Sequence, residues 1–318
     1  DALLIERQPL GTGWAEFWTL NAPATRNALT DEMVSALRAA CERAQCDTAL
    51  RAVVLRGAGG HFCAGGSLGS FASAIGRPHG EGIDPLIAVN REFGHLLQAL
   101  SALPQVLIAA VQGSAMGGGV GLVCCADHVL AATDAQFATP EVTLGIVPAQ
   151  IALFVVRRLG DATARDWLLS GVRWSAAEAL SAGLANAVSD DDFEAALLQL
   201  LKRFALAAPG AVTQTKQLLA AFAANQPLDA VLDDAALRFA QALRRPEAAQ
   251  QDFTWLFRPP APQAVEPVQQ VGVVVGGAAE HHAIDVLQML AALRQRADAA
   301  VDEHRELRKF LLEPVDVL

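Results

Sequence analysis

A chain of 318 residues, 53% of them hydrophobic, can bury a large core in one large or two modest domains. Its net charge of −10 argues against nucleic acid and anionic membrane as partners, because either would need a basic surface. No apolar run reaches the roughly 18 residues needed to span a bilayer, and the first residues lack a basic-then-apolar leader, so the cytoplasm is the expected compartment. The five cysteines (Cys41, Cys46, Cys63, Cys124, Cys125) have no metal-ligand spacing and read as reduced core thiols, so no metal site is expected. The chain has no tyrosine, so no site here can use a phenol to polarise a carbonyl.

In chain order, residues 3–6 and 14–20 read as strands joined by a turn at Pro9-Leu-Gly-Thr-Gly13. Thr30 is a plausible N-cap, with Asp31 and Glu32 in the first turn of a helix reaching Cys46. A strand at 51–56 leads through Gly57-Ala-Gly-Gly60 to His61-Phe-Cys-Ala-Gly-Gly-Ser-Leu68, where His61 reads as a turn residue. Residues 69–84 lose periodicity and form a loop. Residues 85–103 read as a helix stopped by Pro104, and 106–112 as a buried strand.

That strand runs into Gly113-Ser-Ala-Met-Gly-Gly-Gly-Val-Gly-Leu-Val-Cys-Cys-Ala-Asp127. Consecutive glycines at a helix start expose backbone N–H groups where negative charge is favoured, which suits an oxyanion. A nucleotide loop is disfavoured, since Gly-x-Gly-x-x-Gly is absent and no Lys-Ser/Thr follows. Strands at 127–133 and 135–138 precede Pro140-Glu141. Helices follow at 149–159, 161–170, 175–182, 193–208, 210–225, 228–243 and 247–256. Residues 258–270 form a Pro-rich linker. In 271–318 a short strand at 271–277 precedes a helix at 281–312, about 48 Å long at about 1.5 Å per residue. Its stripe of Val286, Leu290, Leu293, Ala297, Ala300, His304, Leu307 and Leu311 steps by fours and threes.

Four segments, Leu20-Asn-Ala-Pro-Ala-Thr-Arg-Asn-Ala-Leu29, His61–Leu68, Gly113–Asp127 and Phe137-Ala-Thr-Pro-Glu-Val-Thr-Leu-Gly-Ile-Val-Pro148, resemble the crotonase family of enoyl-CoA hydratases and isomerases in order and spacing. The resemblance spans about residues 3–257. It implies an α/β fold, a ββα spiral at 1–190, with a helical cover at 191–257 that makes trimer contacts. It also implies an acyl-CoA substrate, with no cofactor because coenzyme A is part of the substrate, and a homotrimer or dimer of trimers. The appended helix, outside the resemblance, is expected to dock on the crotonase body.

By the same resemblance, the N–H groups of Gly66 and Gly118 are the oxyanion donors and Glu141 is the general acid/base. Arg26 and Ala28 lie on the loop that meets the CoA nucleotide. Ala64 and Leu68 line the adenine and pantetheine path, and Ser67, in the substrate-binding set, stands where the family usually has Asp. Gly117, Gly121 and Gln150 complete the expected substrate-binding set, and residues 71–75 are expected at the acyl pocket. Many hydratases of the family place a second glutamate at position 121, so a glycine there is expected to leave room for a carboxylated acyl chain. Gly-Gly-Gly-Val-Gly-Leu-Val, Leu144–Ile151 and Phe154-Val-Val-Arg-Arg158 resemble the branched glutaconyl-CoA hydratases, among them isohexenylglutaconyl- and methylglutaconyl-CoA hydratase. Enoyl-CoA isomerisation by one glutamate and a silent scaffold are the alternatives.

Overall fold

The computed structural model of the chain describes residues 1–66, 75–77, 80–189, 192–223 and 226–249. The linker, the appended strand and helix, Ser67, Leu68 and positions 71–74 lie outside the described residues. Nine strands are present among those described: β1 (Leu3–Leu10), β2 (Gly13–Leu20), β3 (Leu50–Gly57), β4 (Val106–Val111), β5 (Ser114–Met116), β6 (His128–Ala132), β7 (Gln136–Ala138), β8 (Arg173–Ser175) and β9 (Ala187–Ser189). The helices are α1 (Asp31–Cys46), α2 (Pro85–Ser101), α3 (Gly118–Cys124), α4 (Ala152–Leu159), α5 (Asp161–Ser170), α6 (Ala176–Ser181), α7 (Phe193–Ala205), α8 (Pro209–Ala223), α9 (Leu228–Leu243) and α10 (Pro246–Ala249).

β1 and β2 pair antiparallel from Leu3 opposite Leu20 to Leu10 opposite Gly13. β1 is longer than the expected 3–6 because Glu6, Arg7, Gln8 and Pro9 are exposed on an edge strand, where a polar run and a proline are tolerated. The other strands of the large sheet add in parallel, in the order β1-β2-β3-β4-β6-β9. β4 and β6 are buried along their whole length, as parallel strands covered on both faces are. Neighbours on β2 divide between those faces. Trp18 packs with Met33, Leu37, Leu55 and Leu97, while Phe17 packs with Val54, Ile108, Leu197 and Leu201.

Each turn of the chain then repeats. β4 lies in the large sheet and β5 in a second, three-stranded sheet ordered β5-β7-β8; β6 and β7 follow in the same way. A parallel bridge between Cys63 and Ala115 adds the segment after β3 to this second layer. This is the expected ββα spiral. The short strands β5, β8 and β9 were not separately expected, since three residues carry too little periodicity to be read. Residues 140–144 form a 3-10 turn, so α4 starts later than the expected 149. The cap expected at Thr30 is present, and Ser175 caps α6. Thr30 accepts from the N–H of Met33, and Ser175 with Glu178 forms a full capping box.

All five cysteines are free. Cys41, Cys63 and Cys125 are buried as expected, and burial pushes the Cys63 thiol up to about 12. Cys46, at the last turn of α1, is exposed instead. No single helix among the described residues is long and apolar enough to cross a membrane.

His128 on β6 is 9% exposed and meets the edge of Phe204 at 5.9 Å. Burial, with Arg203 and Arg158, depresses its pKa to about 4. Between that value and its ordinary 6.5 the unfolded chain binds more protons than the folded one, so stability present above pH 6.5 is lost as pH falls toward 4. His128→Gln should remove this part of the acid-side loss, about 1–2 kcal/mol at pH 5. Urea unfolding of both proteins at pH 7.5 and 5 measures it; equal losses on acidification would rule it out.

Candidate active site

The site begins with backbone held by a buried side chain. Asn27 is fully buried, with φ at +58°, a left-handed backbone that asparagine tolerates. Its carboxamide accepts from Ala22 N–H and donates to the carbonyls of Ala58 and His61. The neighbouring Arg26 carbonyl accepts from Ala64 N–H at 2.9 Å, and Leu29 N–H donates to Gly65 at 2.8 Å. His61 accepts from Ser114 N–H through Nδ1 at 3.3 Å, which fixes the start of β5. It is a positioning group rather than the simple turn residue expected. Cys63 N–H donates to Ser114 and Met116 N–H to Cys63, both at 2.9 Å.

These bonds set the loop at 63–66 against the start of α3. Gly65 has φ at +84°, and a Cβ there would lie 2.5 Å from the Met116 carbonyl and 3.1 Å from the Gly118 nitrogen. The N–H groups of Gly66 and Gly118 therefore open in one neighbourhood, and neither has an acceptor among the described residues. Gly118 is the first residue of α3, where an N–H has no partner within the helix. α3 is only seven residues long. Direct N–H bonding, more than a long macrodipole, is what this terminus offers an anion.

Glu141 stands across from these donors. It lies in the 3-10 turn begun by Pro140, and its Oε1 is 2.9 Å from where a Cβ on Gly117 would be. Gly117 has φ at +50°, so its glycine is required twice, by backbone and by the carboxylate beside it. Oε2 of Glu141 is buried with no hydrogen-bond partner among the described residues, and desolvation raises the pKa of the carboxyl. A carboxylate oxygen buried without a partner is costly, and such groups cluster where there is chemistry to do.

Gly66, Gly117, Gly118 and Glu141 open on one cleft of about 700 Å³, with Ala64 and Gln150 also on its wall. Leu29, Val34, Phe93, Leu144, Val147 and Ile151 make much of it apolar. Arg38 is the one basic residue on its wall among the described residues, and it bonds Glu92 from α1 to α2. Arg26 and Ala28 do not line the cleft. Arg26 is exposed and Ala28 is buried beside the loop. Ser67 and Leu68 lie outside the described residues. No group of three or more His, Cys, Asp or Glu able to hold a metal is found among the described residues.

Gly121 requires a correction. It is buried and off the cleft wall, and a Cβ there would lie 2.6 Å from Cγ2 of Ile151 and 3.5 Å from Cδ1 of Leu97. The expected room for an acyl carboxylate is filled by Ile151. Phe93, Asn90 and Gly94 on α2 were missed by sequence reasoning, because only the packing of α2 over α3 brings them to the site. Asn27 was readable in principle, as an asparagine inside a Pro- and Ala-containing loop.

Residues 17–248 match the family model described as enoyl-CoA hydratase/isomerase. A solved enoyl-CoA hydratase/isomerase from Marinobacter aquaeolei is 40% identical with a TM-score of 0.73, covering 80% of this chain and 96% of that one. A probable enoyl-CoA hydratase of Mycobacterium tuberculosis, EchA14, is 36% identical over 73% of this chain and 90% of its own length. A 2,3-dehydroadipyl-CoA hydratase of Escherichia coli is 36% identical over 63% of this chain and 76% of its own. The chain belongs to the enoyl-CoA hydratase/isomerase family. It is a hydratase-type lyase acting on acyl-CoA.

Proposed function

We propose that the chain hydrates an α,β-unsaturated acyl-CoA with Glu141 as its only carboxylate acid/base and the N–H groups of Gly66 and Gly118 as oxyanion donors. The observation that supports this most is the buried, unpartnered Oε2 of Glu141 on the same cleft as two open N–H groups. Glu141 takes a proton from water as its oxygen bonds to Cβ. The alkene electrons move toward Cα and the thioester oxygen becomes negative between the two donors. The enolate then collapses as Glu141 returns the proton to Cα, so one water is added and the carboxylate is restored. No redox change occurs, and coenzyme A enters as part of the substrate without a further cofactor.

The finer reading is a branched, carboxylated acyl chain of the glutaconyl type. It is supported by the glycine-run and 144–158 segments and by the Escherichia coli relative named for a dicarboxylic acyl-CoA. The filled space at Gly121 withdraws one reason for it; the second reading, enoyl-CoA isomerisation by a single base, rests on the absence of a second glutamate at that position. We also propose assembly as a homotrimer or dimer of trimers in the cytoplasm. Leu219 and Phe222 on α8 and Leu232, Leu237, Phe239 and Leu243 on α9 are exposed apolar residues that self-association would cover.

The absorbance of the conjugated thioester decides among these readings. A hydratase lowers it with 2-enoyl-CoAs, whereas an isomerase raises it with 3-enoyl-CoAs. Branched glutaconyl-CoA is expected to show a higher kcat/KM than crotonyl-CoA, and equal values would remove the glutaconyl reading.

A further inference from the structure

Hydration needs a water held in one orientation, and a single carboxylate fixes only one of its O–H groups. Ile151 fills the space at Gly121, so no second carboxylate can be supplied from α3. The wall of the same cleft carries the uncharged carboxamide of Gln150. Its Nε2 donates to Oδ1 of Asn90 at 2.8 Å, which leaves Oε1 as the open acceptor, with no donor among the described residues.

The seat of that oxygen is specific. A Cβ on Gly94 would fall on Oε1 of Gln150 and on Nη1 of Arg91, so a side chain at that position in α2 would push both of these side-chain ends aside. Glycine weakens a helix interior, and here its gain is the approach of Gln150. The preceding residue, Phe93, lies 3.3 Å from where a Cβ on Gly118 would be. One turn of α2 thus holds Asn90, Phe93 and Gly94 between the carboxamide and the oxyanion donor.

We propose that Gln150, clamped by Asn90 and seated on Gly94, accepts the second O–H of the attacking water through Oε1 and so positions it for addition to Cβ. The water loses its other proton to Glu141, its oxygen forms the bond to Cβ, and Gln150 is unchanged at the end. The inference rests on the hydration reading. Two measurements separate their failures. One is kcat and KM for hydration of crotonyl-CoA; the other is exchange of the Cα proton of butyryl-CoA in deuterated water, which uses Glu141 and the oxyanion donors but adds no water.

Gln150→Leu is expected to lower hydration kcat about 10- to 100-fold, with KM little changed and Cα exchange retained. Gly94→Ala, which favours the helix but displaces the carboxamide, should lower kcat in the same direction. Gln150→Glu, which keeps an acceptor oxygen, should recover part of the loss and add a second acidic limb to the pH profile. Unchanged hydration in Gln150→Leu, or parallel loss of hydration and exchange, overturns the proposal. An unmodified protein that exchanges the Cα proton but hydrates nothing overturns the hydration reading, and the role of Gln150 with it.

Discussion

Glu141→Gln is expected to lower hydration about 10²- to 10⁴-fold, the usual contribution of one positioned acid/base, while acyl-CoA binding is retained. The amide keeps the shape of the side chain beside Gly117, so the cleft wall is preserved. What it loses is the proton acceptor. Burial holds the Glu141 carboxyl above its ordinary value, and hydration needs the carboxylate first. In the unmodified enzyme kcat/KM should therefore rise with pH through a limb set above the ordinary carboxylate range.

The same shift predicts the stability of this variant. An acid whose folded pKa is raised binds more protons folded than unfolded, so its contribution to stability declines as pH rises from the ordinary value through the folded one. At pH 8 the native protein keeps a desolvated charge that Gln does not have. Glu141→Gln should then unfold at an equal or higher temperature at pH 8, an advantage that shrinks as pH falls. Stopped hydration with retained binding and a non-decreasing melting temperature supports the assignment. Near-normal turnover would remove it.

How much of this was legible follows from where each signal resides. Thr30, Pro85 and the capping box at Ser175 are local, so the helices they begin were readable. β4 and β6 were readable as unbroken apolar runs between turn residues, because parallel strands covered on both faces have no polar side. Gly66, Gly118 and Glu141 were readable because motif order carried them, and the structure brings all three to one cleft. The failure at Gly121 has a different cause. A missing side chain reads as space, but interiors pack densely, and Ile151, thirty residues on, occupies it. Gly94 shows the converse. In sequence it is only a weak point in a helix, and its partner Gln150 is joined to it by tertiary packing alone. His61 likewise gave no sign of its bond to Ser114, since a lone histidine after a glycine pair has no periodicity to place it.

Gly118→Pro should reduce turnover about 10²- to 10³-fold, equivalent to about 2.7–4 kcal/mol of barrier, the typical loss of one oxyanion donor. Proline at the first position of a helix is well tolerated, because the N–H it removes has no partner within the helix. Gly118 occupies that position in α3. A side chain there would meet Cδ1 of Leu29 at 2.8 Å and Cζ of Phe93 at 3.3 Å, both ends of side chains able to shift. Gly118→Ala therefore serves as the control for the added Cβ: it brings the same contacts with Leu29 and Phe93 but keeps the N–H. If the donor matters, the alanine variant should retain most of its turnover while the proline variant loses it, with both showing native circular dichroism. The Cα exchange of butyryl-CoA should fall with hydration in the proline variant, because both pass through an enolate that needs the donor. Equal activity of the two variants would mean that crowding, and not the N–H, is what position 118 controls, and the oxyanion assignment to Gly118 would fall.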